Sequence, residues 1–383
     1  MAACKLSTDV LVIGGGPAGL AAGLALRARG FECIVVDSRQ PPIDKACGEG
    51  LMPDALHSLA VLGVTLSAEH GREFSGIRFT DGEHAVEASF PDGRGIGVRR
   101  TALHALMAEQ AGKAGVCLVW NARAIPVDQH LVAVNDTLVG CRWLIGADGQ
   151  GSSLRRWAAL DAVSKFESRY GFRRHYRLPC WTDHVEVHWG VSGQAYVTPV
   201  GADEICVALI TRDSRLRIDD VLSEFPLLEK RLRGAAMTTQ ERGSVTTTRK
   251  LVRVTSGSLA LIGDASGSVD AVTGEGMAMS FRQAVALAGA IESGDLGAYE
   301  KAHERIGRLP GMMAGLLMLM DRFPAARRQA LRTLAAAPES FCRLLSAHMG
   351  HEPLWQVALG EGMCLSRHLL LGLQTPGTVE SSA

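Results

Sequence analysis

No sign of charge dominates this sequence. Forty lysine and arginine side chains are balanced by forty carboxylates, so a basic footprint for nucleic acid is excluded at the level of the whole chain. Aromatic residues are scarce, at 5%, which argues against a recognition surface built from rings. Nine cysteines include no C-x-x-C pair. Neither a disulfide framework nor a structural zinc site is indicated, and no metal is expected. Most of the thiols read as small buried hydrophobes in a reducing compartment. No apolar run approaches the roughly 18 residues of a spanning helix. The apolar stretch Val10–Ile13 is too short for a signal peptide and runs into a glycine-rich loop. A soluble, cytoplasmic protein is expected.

What the chain has in quantity is apolar side chains, 47% of 383 residues, and glycine, 43 in all. That suffices for a sizeable core in two or three domains. The glycine excess points to tight turns and sites lined by backbone.

The first such site opens the chain. Gly14-x-Gly16-x-x-Gly19 lies between an apolar strand at 9–13 and an Ala- and Leu-rich helix at 20–29. A second strand, Cys33-Ile34-Val35-Val36, is continuous and apolar as buried parallel strands are, and Asp37 closes it. Strand, loop, helix, strand and acid is the order of a dinucleotide-binding βαβ unit. Gly14 allows the tight turn, Gly16 lets backbone approach a pyrophosphate, and Gly19 lets helix and strand pack closely. The helix N-terminus offers free N–H groups to phosphate. Asp37 can accept hydrogen bonds from both ribose hydroxyls of an adenosine, and its charge argues against a 2′-phosphate there.

Two later motifs narrow the choice. Gly146-Ala147-Asp148-Gly149 follows a short buried strand at 143–145. Gly263-Asp264-Ala265 follows another at 259–262, and Thr273-Gly274-Glu275-Gly276-Met277 leads into a helix from 277 to about 291. Together with the first loop, these motifs resemble the p-hydroxybenzoate hydroxylase superfamily of FAD enzymes, and within it the geranylgeranyl reductase branch, over residues 8 to about 290. The resemblance implies that Asp264 binds the ribityl chain of FAD. It implies that Asp148 stands in a motif shared by cofactor and nicotinamide nucleotide, and that Arg39 and Arg100 are basic positions near the cofactor. Gly263, Gly274, Gly276 and Met277 would sit at the flavin, where a helix dipole suits the negative charge of the reduced ring. Read without the family, Asp148 and Asp264 are equally well turn caps.

Lys45-Ala46-Cys47-Gly48-Glu49-Gly50-Leu51 resembles the Cys–Gly segment that runs beside the isoalloxazine in that branch. Cys47 is either a proton donor or packing beside the ring, and Lys45 reads as a solvated loop lysine. From 170 to 210 the periodicity changes to two, the mark of an antiparallel sheet. Gln194, Tyr196 and Thr198 share one face, and Tyr196 either holds a substrate oxygen or packs with its hydroxyl at the surface. His184, Glu186 and His188 also share a face, expected to be a solvent-facing surface rather than a metal site. The strand Gln194–Pro199 lacks both Trp residues of the halogenase pattern W-x-W-x-I-P, and residues 70 to 85 contain no Lys, which disfavours halogenation. It also departs from the Y-x-W-x-F-P pattern of prenyl reductases, which points away from a long isoprenoid substrate. Residues from 300 onward read as helices broken at Pro310, Pro324, Pro338 and Pro353. The Met-rich stretch 312–320 has the pattern of a buried or subunit-interface helix rather than a membrane surface, and Leu354 to Leu373 reads as a similar helix.

The expected fold is α/β: a Rossmann-like FAD-binding domain (1–70, 95–165 and 250–305), an inserted antiparallel β-sheet substrate domain (71–94 and 166–249) and a helical C-terminal extension (306–383). The expected enzyme is an NAD(P)H-dependent monooxygenase, using NADH or NADPH as transient reductant. It would hydroxylate a small aromatic or polyketide-like molecule through a flavin C4a-hydroperoxide. The alternative is a flavin ene-reductase that saturates a carbon–carbon double bond, with Cys47 supplying the proton. A flavin-binding sensor or carrier without turnover is the third possibility.

Overall fold

The computed structural model of the protein describes residues 7–350 and Glu352. Its frame is a sheet ordered Thr255–Ser256, Leu259–Leu261, Thr137–Gly146, Ser7–Ile13, Cys33–Val36 and Cys117–Val119. The four pairings from Leu259–Leu261 across to Cys117–Val119 are parallel. Strands covered on both faces need apolar residues at every position, which is why Val10, Leu11 and Val12 are all fully buried. The helix Pro17–Arg27 packs against Cys33–Val36 and against the helix Gly276–Ser293. Parallel strands end at one common edge, so the turns after Ile13, Val36, Gly146 and Leu261 converge there. These are the turns that carry the glycine loop, Asp37, Asp148 and Gly263-Asp264.

A second sheet is ordered Ala236–Met237, Val163–Arg177, Glu204–Thr211, Gly193–Gly201, His184–Trp189, Gly76–Thr80 and Ala85–Ser89, with Arg242–Leu251 also paired to Val163–Arg177. One face packs through Val197 and Val207 against Phe225 and Leu228 of the segment 218–232. The other, with Val187 and Tyr196, meets Leu331, Leu334, Phe341 and Leu345 of the C-terminal helices.

Three expectations change here. Glu186 and His188 do not face solvent: both are buried, paired Oε2 to Nε2 at 3.0 Å, and the His188 ring meets Phe225 edge-on. The 218–232 segment covers that face, which a strand-by-strand reading cannot see. Pro310 breaks nothing. The helix Leu296–Arg322 continues through it, and packing against Gly276–Ser293 makes up for the missing hydrogen bond. Pro324 and Pro338 sit at the first helical position, where the absent N–H has no cost. Pro353 and the stretch 354–373 lie outside the described residues. Finally, the Met-rich stretch is not buried all round. Met313, Ala314 and Met320 are buried, whereas Met312, Leu316 and Leu319 are 52%, 46% and 52% exposed, because no described element packs on their side of the helix. Cys33, Cys141 and Cys206 are buried free thiols, and Cys117 is disulfide-bonded. No helix among the described residues is long and apolar enough to cross a membrane.

Candidate active site

The converging turns line one cavity of about 640 Å³, within the range of small-ligand sites. Gly14 has φ +112°, and a Cβ there would fall 2.3 Å from the Ala147 oxygen. A Cβ on Gly19 would fall 1.8 Å from the Gly14 oxygen. The fold itself demands these two glycines. Gly16 differs: its φ of −70° and ψ of 179° suit any residue, and a Cβ there would meet nothing within 4 Å. The space that its missing side chain leaves belongs to the cavity. Asp37 ties the loop together, with Oδ2 accepting from the Gly15 N–H and Oδ1 from the Arg39 N–H, both at 2.8 Å. The Arg39 Nε lies 3.7 Å from the same carboxylate.

Two helix N-termini, at Pro17 and Gly276, open onto the cavity without a side-chain cap. Free N–H groups and positive dipole ends suit a pyrophosphate and the electron-rich edge of a reduced flavin. Asp148 does cap a helix, as Oδ2 accepts from Ser153 N–H at 2.7 Å and Leu154 N–H at 3.2 Å, but its Oδ1 is buried without a partner. Arg100 donates its N–H to Glu49 at 2.9 Å and sets Nη1 against Met277 Sδ at 3.2 Å, while its Nε is buried and unpartnered. Gly263, at φ +61°, donates to Gln283 at 2.8 Å. Gly274, Gly276 and Met277 line the same cavity. Open space at Gly16, two uncapped helix ends and unpaired polar atoms from separate segments therefore fit an FAD. Asp264 accepts from Lys45 Nζ at 2.7 Å. Lys45 is thus a cavity residue rather than a solvated one, and a pairing across 219 positions leaves no local signal in the sequence.

The segment carrying Cys47 is clamped from beneath. Glu49 adopts φ +61°, uncommon for a side chain other than glycine, and is buried. Its Oε2 lies 2.6 Å from His175 Nε2, its Oε1 3.8 Å from Arg173 Nε, and Arg173 also pairs with Asp44. Glu49, His175 and Cys206 could bring ligand atoms within 4.8 Å of one another, but Arg173 already supplies the counter-charge. Cys47 itself is half-buried in the cavity wall, its Sγ accepting from the Glu49 N–H at 3.4 Å.

Beyond Cys47 the walls turn apolar, with Phe74, Phe79, Val187, Met313, Leu317 and Phe341. Tyr196 lines this part, but its hydroxyl donates to the Val272 oxygen at 3.1 Å, and burial pushes its pKa up. Beneath it, fully buried Arg169 binds Asp270 at 2.9 Å and Gln194 at 2.6 Å. One polar cluster was not legible in the sequence. Glu275 lies 3.5 Å from Arg282 and 3.6 Å from His348, and Arg282 lies 3.8 Å from Asp54. Burial pushes Glu275 up to about 8 and His348 down to about 4. His348 also borders the cavity.

Residues 7–175 match the family described as FAD binding domain. The chain is an FAD-dependent oxidoreductase, and its motifs and relatives are similar to those of the p-hydroxybenzoate hydroxylase superfamily. This flavoenzyme is 29% identical over 320 residues to the menaquinone reductase of Mycobacterium tuberculosis, an alignment covering 76% of the chain and 78% of the relative. It is 27% identical over 339 residues to the digeranylgeranylglycerophospholipid reductase of Methanothrix thermoacetophila, covering 78% and 84%. Among solved structures, a flavoprotein/dehydrogenase of Cytophaga hutchinsonii shares the fold with a TM-score of 0.78, at 19% identity and over 90% and 93% of the two chains.

Proposed function

We propose that this flavoenzyme reduces a carbon–carbon double bond of an apolar substrate, with NADH or NADPH as the source of electrons. The observation that carries this reading is the cavity beyond Cys47, whose walls are mainly aliphatic, thioether and phenyl side chains. The Tyr196 hydroxyl, the sequence candidate for holding a substrate oxygen, is engaged with backbone instead. That leaves no free Tyr196 hydroxyl for a substrate oxygen, while the strand's departure from the prenyl-reductase pattern still points away from a long isoprenoid chain. The names of the two relatives support reduction as the chemistry.

FAD, when bound, supplies a carrier that takes hydride from a reduced nicotinamide and delivers it to carbon. The protein's own residues do the rest. The glycine loop and the two open helix ends hold the cofactor's phosphates and ring. Apolar walls desolvate the substrate and keep water from the reacting carbon. Cys47 Sγ holds a proton for the second carbon of the double bond, so that one hydride and one proton are added and none is lost. The Glu49 N–H and the Glu49–His175 clamp fix the position of that thiol. Product mass under strict exclusion of dioxygen is the test. Turnover that adds two hydrogens supports the proposal. Turnover that requires dioxygen and adds one oxygen atom restores hydroxylation.

A further inference from the structure

The helix Leu296–Arg322 has an outer face that the fold leaves uncovered. Met312, Leu316, Leu319 and Phe323 are 52%, 46%, 52% and 49% exposed. Their spacing of four, three and four residues places them along one stripe, about 16 Å long at the rise of a helix. Single exposed apolar residues are ordinary, whereas an aligned row of four large ones is not.

Charge is unusual in the same place. The whole chain is neutral, with forty residues of each sign. Between 305 and 332, however, Arg305, Arg308, Arg322, Arg328 and Arg332 are exposed, and the one carboxylate, Asp321, is turned inward against Arg169 and Arg212. The Arg322 guanidinium lies 6.0 Å from the Phe323 ring. An apolar stripe with five exposed arginines between 305 and 332, and with the exposed acids Glu304 and Glu339 beyond the two ends of that span, matches the two layers of an anionic bilayer surface, acyl chains below and phosphate above.

The stripe also reaches the active site. Leu316 is half exposed and at the same time lines the cavity, next to Met313 and Leu317 of the same helix. The cavity wall and the stripe therefore share a side chain.

We propose that this face docks on the surface of an anionic phospholipid membrane, with Met312, Leu316, Leu319 and Phe323 inserted at the level of the headgroups and the surrounding arginines on lipid phosphates. The docked orientation puts the Leu316 side of the cavity against the apolar layer. Only that last consequence rests on the apolar-substrate reading; the docking itself follows from the surface.

The test is flotation of the full flavin-loaded protein with vesicles of three parts phosphatidylcholine to one part phosphatidylglycerol. The wild type is expected to float with these vesicles and to be released several-fold by raising the salt from roughly 0.1 to 0.5 M, as screening shortens the reach of the arginines. The double variant Met312→Glu/Leu319→Glu changes two exposed residues outside the cavity lining, and should bind at least about tenfold more weakly while keeping its flavin. Its reduction of a short, water-soluble alkene should be unchanged, so that failure of docking and failure of the reductase reading are told apart. A wild type that does not float overturns the proposal. So does a variant that floats as well as the wild type, or a wild-type dimer that the variant dissociates without any vesicle binding, which would assign the stripe to a second copy of the chain.

Discussion

Replacing Gly16 with valine should abolish flavin retention without unfolding the protein. The structure separates these two effects because the glycines of one loop are required for different reasons. At Gly19 an added Cβ would fall 1.8 Å from a backbone oxygen, and at Gly14 2.3 Å from another, so alanine at either position must displace main chain. At Gly16 the backbone is extended and the Cβ would meet nothing within 4 Å. The valine side chain therefore occupies only space that a pyrophosphate would use. Hydrogen bonds to a charged partner are worth about 1.5–3 kcal/mol each. Losing two at the loop weakens FAD binding by roughly 3–6 kcal/mol, on the order of a hundred- to ten-thousand-fold in Kd. The assay pairs thermal melting of apo-protein with titration of FAD, followed by quenching of flavin fluorescence. Gly16→Val should melt within about 1 kcal/mol of wild type and fail to bind, whereas Gly19→Ala should lose stability first. A Gly16→Val protein that binds FAD normally would refute the placement of the phosphates.

Four further outcomes follow from the site. Glu275 is protonated in both folded and unfolded chains below its ordinary value of 4.5, and as pH rises toward its buried value of about 8 only the unfolded chain ionises. Stability should fall across that window by on the order of 5 kcal/mol, and Glu275→Gln should flatten the decline in a melting series from pH 5 to 9; an unchanged slope removes Glu275 as its source. His348 acts at the other end, where stability present above 6.5 is lost as pH falls toward about 4, and His348→Gln should flatten that acid limb. Arg169→Met strands Asp270 in the interior and should lower unfolding free energy by about 3–5 kcal/mol; a loss below about 1 kcal/mol in urea denaturation would contradict the buried pairing. Cys47→Ala should keep its flavin and slow product formation by roughly a hundredfold or more, and an unaltered rate would free the thiol from any part in proton transfer.

The cofactor cradle is legible in the sequence because each part is local. A strand, a glycine turn and a helix announce themselves within twenty residues, and Asp37 follows at the end of the next strand. What joins the parts is not local. Lys45 finds Asp264, Glu49 finds His175 and Glu275 finds His348 only after two sheets and the C-terminal helices have packed. The burial of Glu186 and His188 has the same origin, since alternation shows that they share a face but not what covers it. Pro310 misleads for the converse reason, because a rule for isolated helices yields to packing that the sequence does not display. Tyr196 is correctly placed on the cavity side by its period of two, yet the carbonyl that takes its hydroxyl lies 76 positions away.

The most direct test of the account is the fate of the reduced enzyme in the absence of dioxygen. Flavin reduced anaerobically by dithionite, then mixed with an apolar alkene, should regain its yellow absorbance in step with saturation of the double bond. Flavin that stays bleached under a range of such alkenes, and recovers its colour only when air is admitted together with an aromatic substrate, would contradict it.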